Sequence, residues 1–168
     1  MSKYRYAAYG SNLHPLRLAE RTPTARLLGT EFVSGWSLHF HKRSDRDGSG
    51  KCSIQNLGVG IHLAIYEIAI AEKPTLDRIE GLGVGYDEIA IDVPNFGTCC
   101  TYTARESHID DALVPFDWYK EMVVIGCDVH GFPRDYCSRI AAVEAAPDFD
   151  SNRHQPEWRT VAKLRNGG

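Results

Sequence analysis

The chain is 168 residues long and 43% apolar, and its 22 acidic and 19 basic side chains give a net charge of -3. This length suits one domain with a sizeable core, and the interspersed charges exclude the footprint of a nucleic-acid binder and a polybasic membrane anchor. No stretch approaches the roughly 20 apolar residues of a bilayer span and the N-terminus lacks an apolar leader core, so a cytoplasmic location is expected.

In chain order, Lys3 to Tyr9 reads as a strand running into a turn at Gly10. Pro15 suits the first turn of a short helix through Arg21, which Thr22-Pro23 ends. From Arg26 to Val93 the pattern is mostly period two: Trp36, Leu38 and Phe40 alternate with Ser37, His39 and His41, and Val59, Ile61, Leu63 and Ile65 alternate with Gly60, His62, Ala64 and Tyr66. A polar loop from Arg43 to Lys51 and a short helix from Lys73 to Glu80 interrupt these strands. Ile89, Ile91, Val93 and Tyr102 continue the alternation. The period then changes to three or four, through Trp118, Met122, Ile125 and Val129 and again through Tyr136, Ile140 and Val143, predicting two helices joined at Gly131. The segment from Asp148 onward is polar and is expected to be a loosely held tail. The fold class is therefore α+β: a curled, mixed or mostly antiparallel sheet approaching a small barrel, flanked by helices, in a single domain over 1–168.

The candidate chemistry is sparse. The 5 cysteines include no C-x-x-C pair, so reduced, mostly buried thiols are expected. His39 and His41 share a strand face and Cys127 lies near His130, but neither pair has a third ligand at recognisable spacing, and both read as ordinary polar positions. No metal and no cofactor is called for. The run Gly81-Leu82-Gly83-Val84-Gly85 precedes a strand rather than a helix, which favours a turn over a phosphate cradle. Ser11 lacks a nucleophile elbow and an assignable base. Glu80 follows Leu76 and Ile79 on a helix stopping at Gly81, which sets a carboxylate at the edge of a pocket, where burial would tune it for proton transfer.

Two motifs taken together resemble a known family. Tyr6-Ala7-Ala8-Tyr9-Gly10-Ser11-Asn12-Leu13 near the start and Leu76-Asp77-Arg78-Ile79-Glu80-Gly81 later are similar to the paired signature of the gamma-glutamylcyclotransferases. Trp118-Tyr119-Lys120, leading through Gly126 to Gly131-Phe132-Pro133, is similar to that family's C-terminal helical region. The resemblance implies Glu80 as the catalytic acid/base and Tyr9, Gly10, Ser11, Asn12 and Leu13 as the loop binding the glutamyl moiety. It also implies that Tyr102 and Tyr119 line the pocket. After the glycine run an aromatic is expected where Asp87 stands, with Tyr86 just before it and taken as the pocket residue. Asn12 leans away from the glutathione-specific branch, and the helical C-terminus leans away from the shorter gamma-glutamylamine enzymes.

The implied reaction releases 5-oxoproline from a gamma-glutamyl amino acid or dipeptide. Other leaving amines, and a noncatalytic binder of glutamyl-like metabolites, are the alternatives. The implied partner is a small gamma-glutamyl molecule, with no nucleic acid or membrane, and a homodimer is the ordinary state for a small enzyme of this kind.

Overall fold

The structure, a computed structural model, describes residues 2–167. Strand β1 (Lys3–Ala8) occupies the middle of a five-stranded sheet whose other members are β2 (Arg26–Ser34), β5 (Gly60–Ala69), β6 (Tyr86–Val93) and β7 (Gly97–Ala104), in the order β2-β5-β1-β7-β6. Every pairing is antiparallel except β1 with β7. Strands β3 (Ser37–Arg43) and β4 (Gly50–Gln55) form a separate hairpin. It is tied over β7 by Ser53, whose hydroxyl accepts from the Ala104 N–H at 2.8 Å, and by Thr103, whose hydroxyl donates to the Ile54 carbonyl at 2.9 Å. The sheet is curled and mostly antiparallel as expected, without closing into a barrel.

The alternation expected along β5 breaks at Ala64 and Tyr66, which are as buried as Ile61, Leu63 and Ile65. Tyr66 reaches beneath the loop after β1, its hydroxyl donating to the Leu13 carbonyl, so this central stretch of β5 is covered on both faces. His41, expected to point outward, is also buried; its Nδ1 lies 2.9 Å from the Asp111 carboxylate and its ring stacks on His39.

Helix α1 (Pro15–Arg21) is N-capped by His14, whose Nδ1 accepts from the Leu16 N–H, and helix α2 is Lys73–Glu80. Gly81 ends α2 at φ +75°, and its carbonyl then receives the N–H groups of Val84, Gly85 and Tyr86. The glycine run is therefore a tight turn, with β6 starting at Tyr86. Its left-handed geometry at Gly81 and at Gly83 (φ +80°) suits glycine. Helices α3 (Asp117–Val129) and α4 (Arg134–Ala141) follow, joined through Gly131 at φ +63°.

The segment from Asp148 corrects the expectation of a loose tail. It forms helix α5 (Ser151–Asn166), packed on α3, with Val161 and Leu164 buried. Its anchor is the Asp148 carboxylate, whose side chain is 0% exposed. That carboxylate accepts from Trp118 Nε1 at 3.0 Å and from Arg153 at 2.7 and 2.6 Å. Burial alone would push this carboxyl up, but the bonds from Arg153 and Trp118 outweigh it and hold the pKa at about 2. Composition missed this helix because a buried ion pair does the docking that a long apolar stripe usually does.

Candidate active site

The site forms where α1 and α2 end against the loop after β1. Leu13 fixes that loop: its carbonyl accepts from the Tyr66 hydroxyl at 2.6 Å and lies 2.7 Å from His130 Nε2. A β-carbon at Gly126 of α3 would come within 2.6 Å of the Leu13 β-carbon, so helix and loop touch at a glycine. The Leu13 side chain is fully buried in the core, which makes Leu13 an anchor of the loop, not a wall of the cavity. Gly10 is required by close approach, because a β-carbon there would meet the β-carbon of Cys52 at 2.9 Å. No N–H of Gly10, Ser11 or Asn12 bonds to backbone elsewhere among the described residues, so this loop offers unused donors.

Glu80 is the last residue of α2, where the helix dipole disfavours a negative charge. Arg21, in the last turn of α1, offsets it, with Nη1 3.1 Å from Glu80 Oε1. Asn12 Nδ2 donates to the same oxygen at 2.8 Å and lies 3.1 Å from the Tyr6 hydroxyl, while Arg21 Nη1 also donates to Asn12 Oδ1 at 2.8 Å. Both bonds to the carboxylate fall on Oε1. No hydrogen bond among the described residues reaches Oε2.

A narrow cavity of about 20 Å³ lies beside this carboxylate, walled by Tyr6, Tyr9, Tyr86, Tyr102 and Tyr119 together with Gly10, Ser11, Asn12 and Cys52. It adjoins a polar cleft of about 200 Å³, and Ser11, Glu80, Tyr86 and Tyr119 line both. Most of the phenols brace the wall. Tyr9 donates to the Tyr102 carbonyl, Tyr86 to the Cys52 carbonyl and Tyr102 to Asp77 Oδ1, each at 2.6 Å, and the Tyr119 oxygen accepts from the Cys52 N–H at 3.1 Å. Burial pushes all five phenols up, so they stay neutral. Burial likewise pushes the Cys52 thiol up to about 12, which rules it out as a thiolate nucleophile.

The structure thus brings together Glu80, Tyr9, Gly10, Ser11, Asn12, Tyr86, Tyr102 and Tyr119 around one cavity. The aromatic sought near Asp87 is supplied by Tyr86, which is buried, while Asp87 is exposed and lies 3.4 Å from Arg105 Nε. Three members of the site were missed from sequence, among them Cys52, which reads only as a buried thiol. Tyr6 sits in the strand and reads as core. Arg21 carries only the signal of a basic residue in a final helical turn, which the helix dipole already explains. A larger cavity, about 530 Å³, lies elsewhere, between β3 and α4, among Trp36, Leu38, Tyr136 and Ile140. Among the described residues its lining is mostly apolar, with Arg139 the one charged side chain.

Comparison with known proteins bears on the fold and the family resemblance. Residues 60–140 match the model of the AIG2-like family. The chain is 27% identical to the mouse protein "Gamma-glutamylcyclotransferase" over 151 residues, covering 84% of this chain and 79% of the mouse protein. Among solved structures, one titled "Gamma-glutamyl cyclotransferase" superposes with a TM-score of 0.83 at 23% identity, over 96% of this chain and 99% of its own. YkqA from Bacillus subtilis superposes with a TM-score of 0.73 at 14% identity, over 87% of this chain and 57% of its own. The paired motifs resemble those of the gamma-glutamylcyclotransferases, residues 60–140 match the AIG2-like family, and the chain shares the fold of the solved structure of that name.

Proposed function

We propose that this protein is a gamma-glutamylcyclotransferase that converts a gamma-glutamyl amino acid or dipeptide into 5-oxoproline and the free amino acid, with Glu80 as its one general acid/base. The observation carrying this reading is the Glu80 carboxylate, held on Oε1 by Arg21 and Asn12 with Oε2 unengaged, at the mouth of a tyrosine-walled cavity. The resemblance to relatives of that name supports it.

In this reaction the substrate's α-amino nitrogen attacks its own γ-carbonyl carbon and closes a five-membered ring, so atoms are only redistributed and no water enters. The protein first holds the glutamyl end bent, which supplies the proximity term. The α-ammonium, with an ordinary pKa near 8, gives a proton to Glu80 Oε2 before attack. The tetrahedral oxyanion is met by the unused N–H donors of Gly10, Ser11 and Asn12. Glu80 returns its proton to the departing nitrogen as the old C–N bond breaks. Two protons cross in all: the ring nitrogen gives its second to solvent once the new C–N bond has formed, and the free amine takes one up from solvent as it leaves.

The test is a product assay. Purified protein given gamma-glutamyl dipeptides should release 5-oxoproline and amino acid in equal amounts. Stoichiometric binding of those dipeptides with no product over hours would overturn the enzymatic reading.

A further inference from the structure

The polar cleft outside the tyrosine cavity carries more cations than its chemistry at Glu80 needs. Its walls hold Arg17, Arg21, Lys42, Arg46 and Lys51 against the carboxylates of Asp47, Glu80 and Glu157. Four of the cations are satisfied. Arg21 pairs with Glu80, Lys51 with Asp47 at 3.1 Å, Arg46 with Glu157 at 3.0 Å and Lys42 with Asp45 at 3.5 Å. Arg17 is the exception among the described residues. It makes no ion pair, and its Nε is buried without a hydrogen-bond partner. Burial, with the like charge of Arg21 adding to it, pushes the Arg17 guanidinium down to about 10, so the group is still a cation at neutral pH but a poorly solvated one. Such a donor lowers its energy by meeting an anion.

Arg17 lies one helical turn before Arg21 on α1, so the two share a face. The cleft is continuous with the reaction cavity through Ser11, Glu80, Tyr86 and Tyr119. A substrate whose γ-carbonyl reacts beside Glu80 therefore extends its leaving amine into this cleft. When that amine is an amino acid, its carboxylate stands two bonds beyond the departing nitrogen, and a planar guanidinium fits a carboxylate with two parallel bonds.

Resting on the proposed activity, we infer that Arg17 is the anchor for the carboxylate of the leaving amino acid, and so the residue by which this site favours gamma-glutamyl amino acids over gamma-glutamylamines. Arg17 acts in substrate selection and takes no part in proton transfer.

The experiment compares gamma-glutamylalanine with gamma-glutamylethylamine, which keeps the scissile amide and lacks only the carboxylate. Release of 5-oxoproline is measured for the wild type, Arg17→Met and Arg17→Lys. The wild type should favour gamma-glutamylalanine, and Arg17→Met should reduce the ratio of the two kcat/KM values by about 10- to 100-fold, the size of one charged hydrogen bond. The loss should fall mainly on KM, and Arg17→Lys should recover part of it.

An unchanged ratio, with both substrates weakened equally, would overturn the inference and move Arg17 to the glutamyl half or to a structural role. Should the wild type turn over neither compound, the proposed activity fails separately. Calorimetric binding of the same two compounds then decides: tighter binding of gamma-glutamylalanine that Arg17→Met abolishes supports the anchor, and equal affinities overturn it. If Arg17→Met does not fold, Arg17→Lys carries the same comparison, with a smaller expected drop in the ratio and an unchanged ratio as the overturning result.

Discussion

Replacing Glu80 with Gln removes the proton-accepting oxygen while keeping the shape of the network around it. The amide carbonyl can take the place of Oε1 and still accept from Arg21, at 3.1 Å in the wild type, and from Asn12, at 2.8 Å. What disappears is the charge on a pair whose side chains are 21% and 17% exposed. Charged hydrogen bonds contribute about 1.5–3 kcal/mol and neutral ones about 0.5–1.5, so the stability loss should be about 1 kcal/mol. For a domain of this size that lowers Tm by about 2–4 °C.

The kinetic effect is of another order. General acid/base assistance is worth about 10²–10⁴-fold, and here one carboxyl both takes and returns the proton, so kcat should fall by about 10³-fold or more. The assay is steady-state 5-oxoproline release from a gamma-glutamyl dipeptide, with thermal melts of both proteins. Glu80→Asp, which draws the carboxylate back by one methylene, should fall between the two. A folded Glu80→Gln protein retaining activity within tenfold of wild type would refute the role given to Glu80.

Other perturbations address the supports of the site. Arg21→Met breaks the bonds to both Glu80 and Asn12 and should cost about 2–3 kcal/mol in chemical denaturation, together with a fall in kcat; an unchanged midpoint would mean the pair does not persist in solution. Gly10→Ala drives a β-carbon against Cys52 and should displace the loop, costing about 1–3 kcal/mol and raising KM; a crystal structure of that variant with the loop unmoved would contradict this. Asp148→Asn should destabilise the protein at pH 7 by about 2–3 kcal/mol, read as a Tm shift. Because the folded pKa of Asp148 is depressed to about 2, its contribution is fully present above the ordinary carboxylate pKa near 4 and is lost as pH falls toward 2. The wild-type and Asp148→Asn melting curves should therefore converge in acid, and a gap that persists at pH 2 would disprove the assignment.

The parts of this architecture written in local sequence were readable in advance. Pro15 and Arg21 bracket α1, Lys73 and Glu80 bracket α2, and Gly81 adopts the left-handed cap that a glycine there implies. Glu80 was placed at a helix end by pattern and made the catalytic candidate by resemblance. What could not be read depends on distant segments meeting. Arg21 becomes part of the site only because α1 and α2 end at the same point, and Tyr6 only because β1 is central in the sheet. The basic cleft draws Arg17 from α1, Lys51 from β4 and Glu157 from α5. α5 itself was hidden because its docking depends on Trp118, far back in the chain, donating to Asp148.

The bonding of the tyrosine wall bears on how such a protein can change its substrate. The hydroxyls of Tyr9, Tyr86, Tyr102 and Tyr119 tie the loop after β1 to β7, β6 to β4, β7 to α2 and α3 to β4, like cross-braces in a frame. Altering one of them loosens a joint between secondary-structure elements as well as the surface that meets the glutamyl group. The outer cleft is built differently, from charge pairs that can be exchanged one at a time without unfastening the sheet. Laboratory evolution toward new leaving groups should therefore accumulate substitutions among Arg17, Lys42, Arg46 and Lys51 and their partners Asp45, Asp47 and Glu157, leaving Arg21, Glu80 and the phenols as they are.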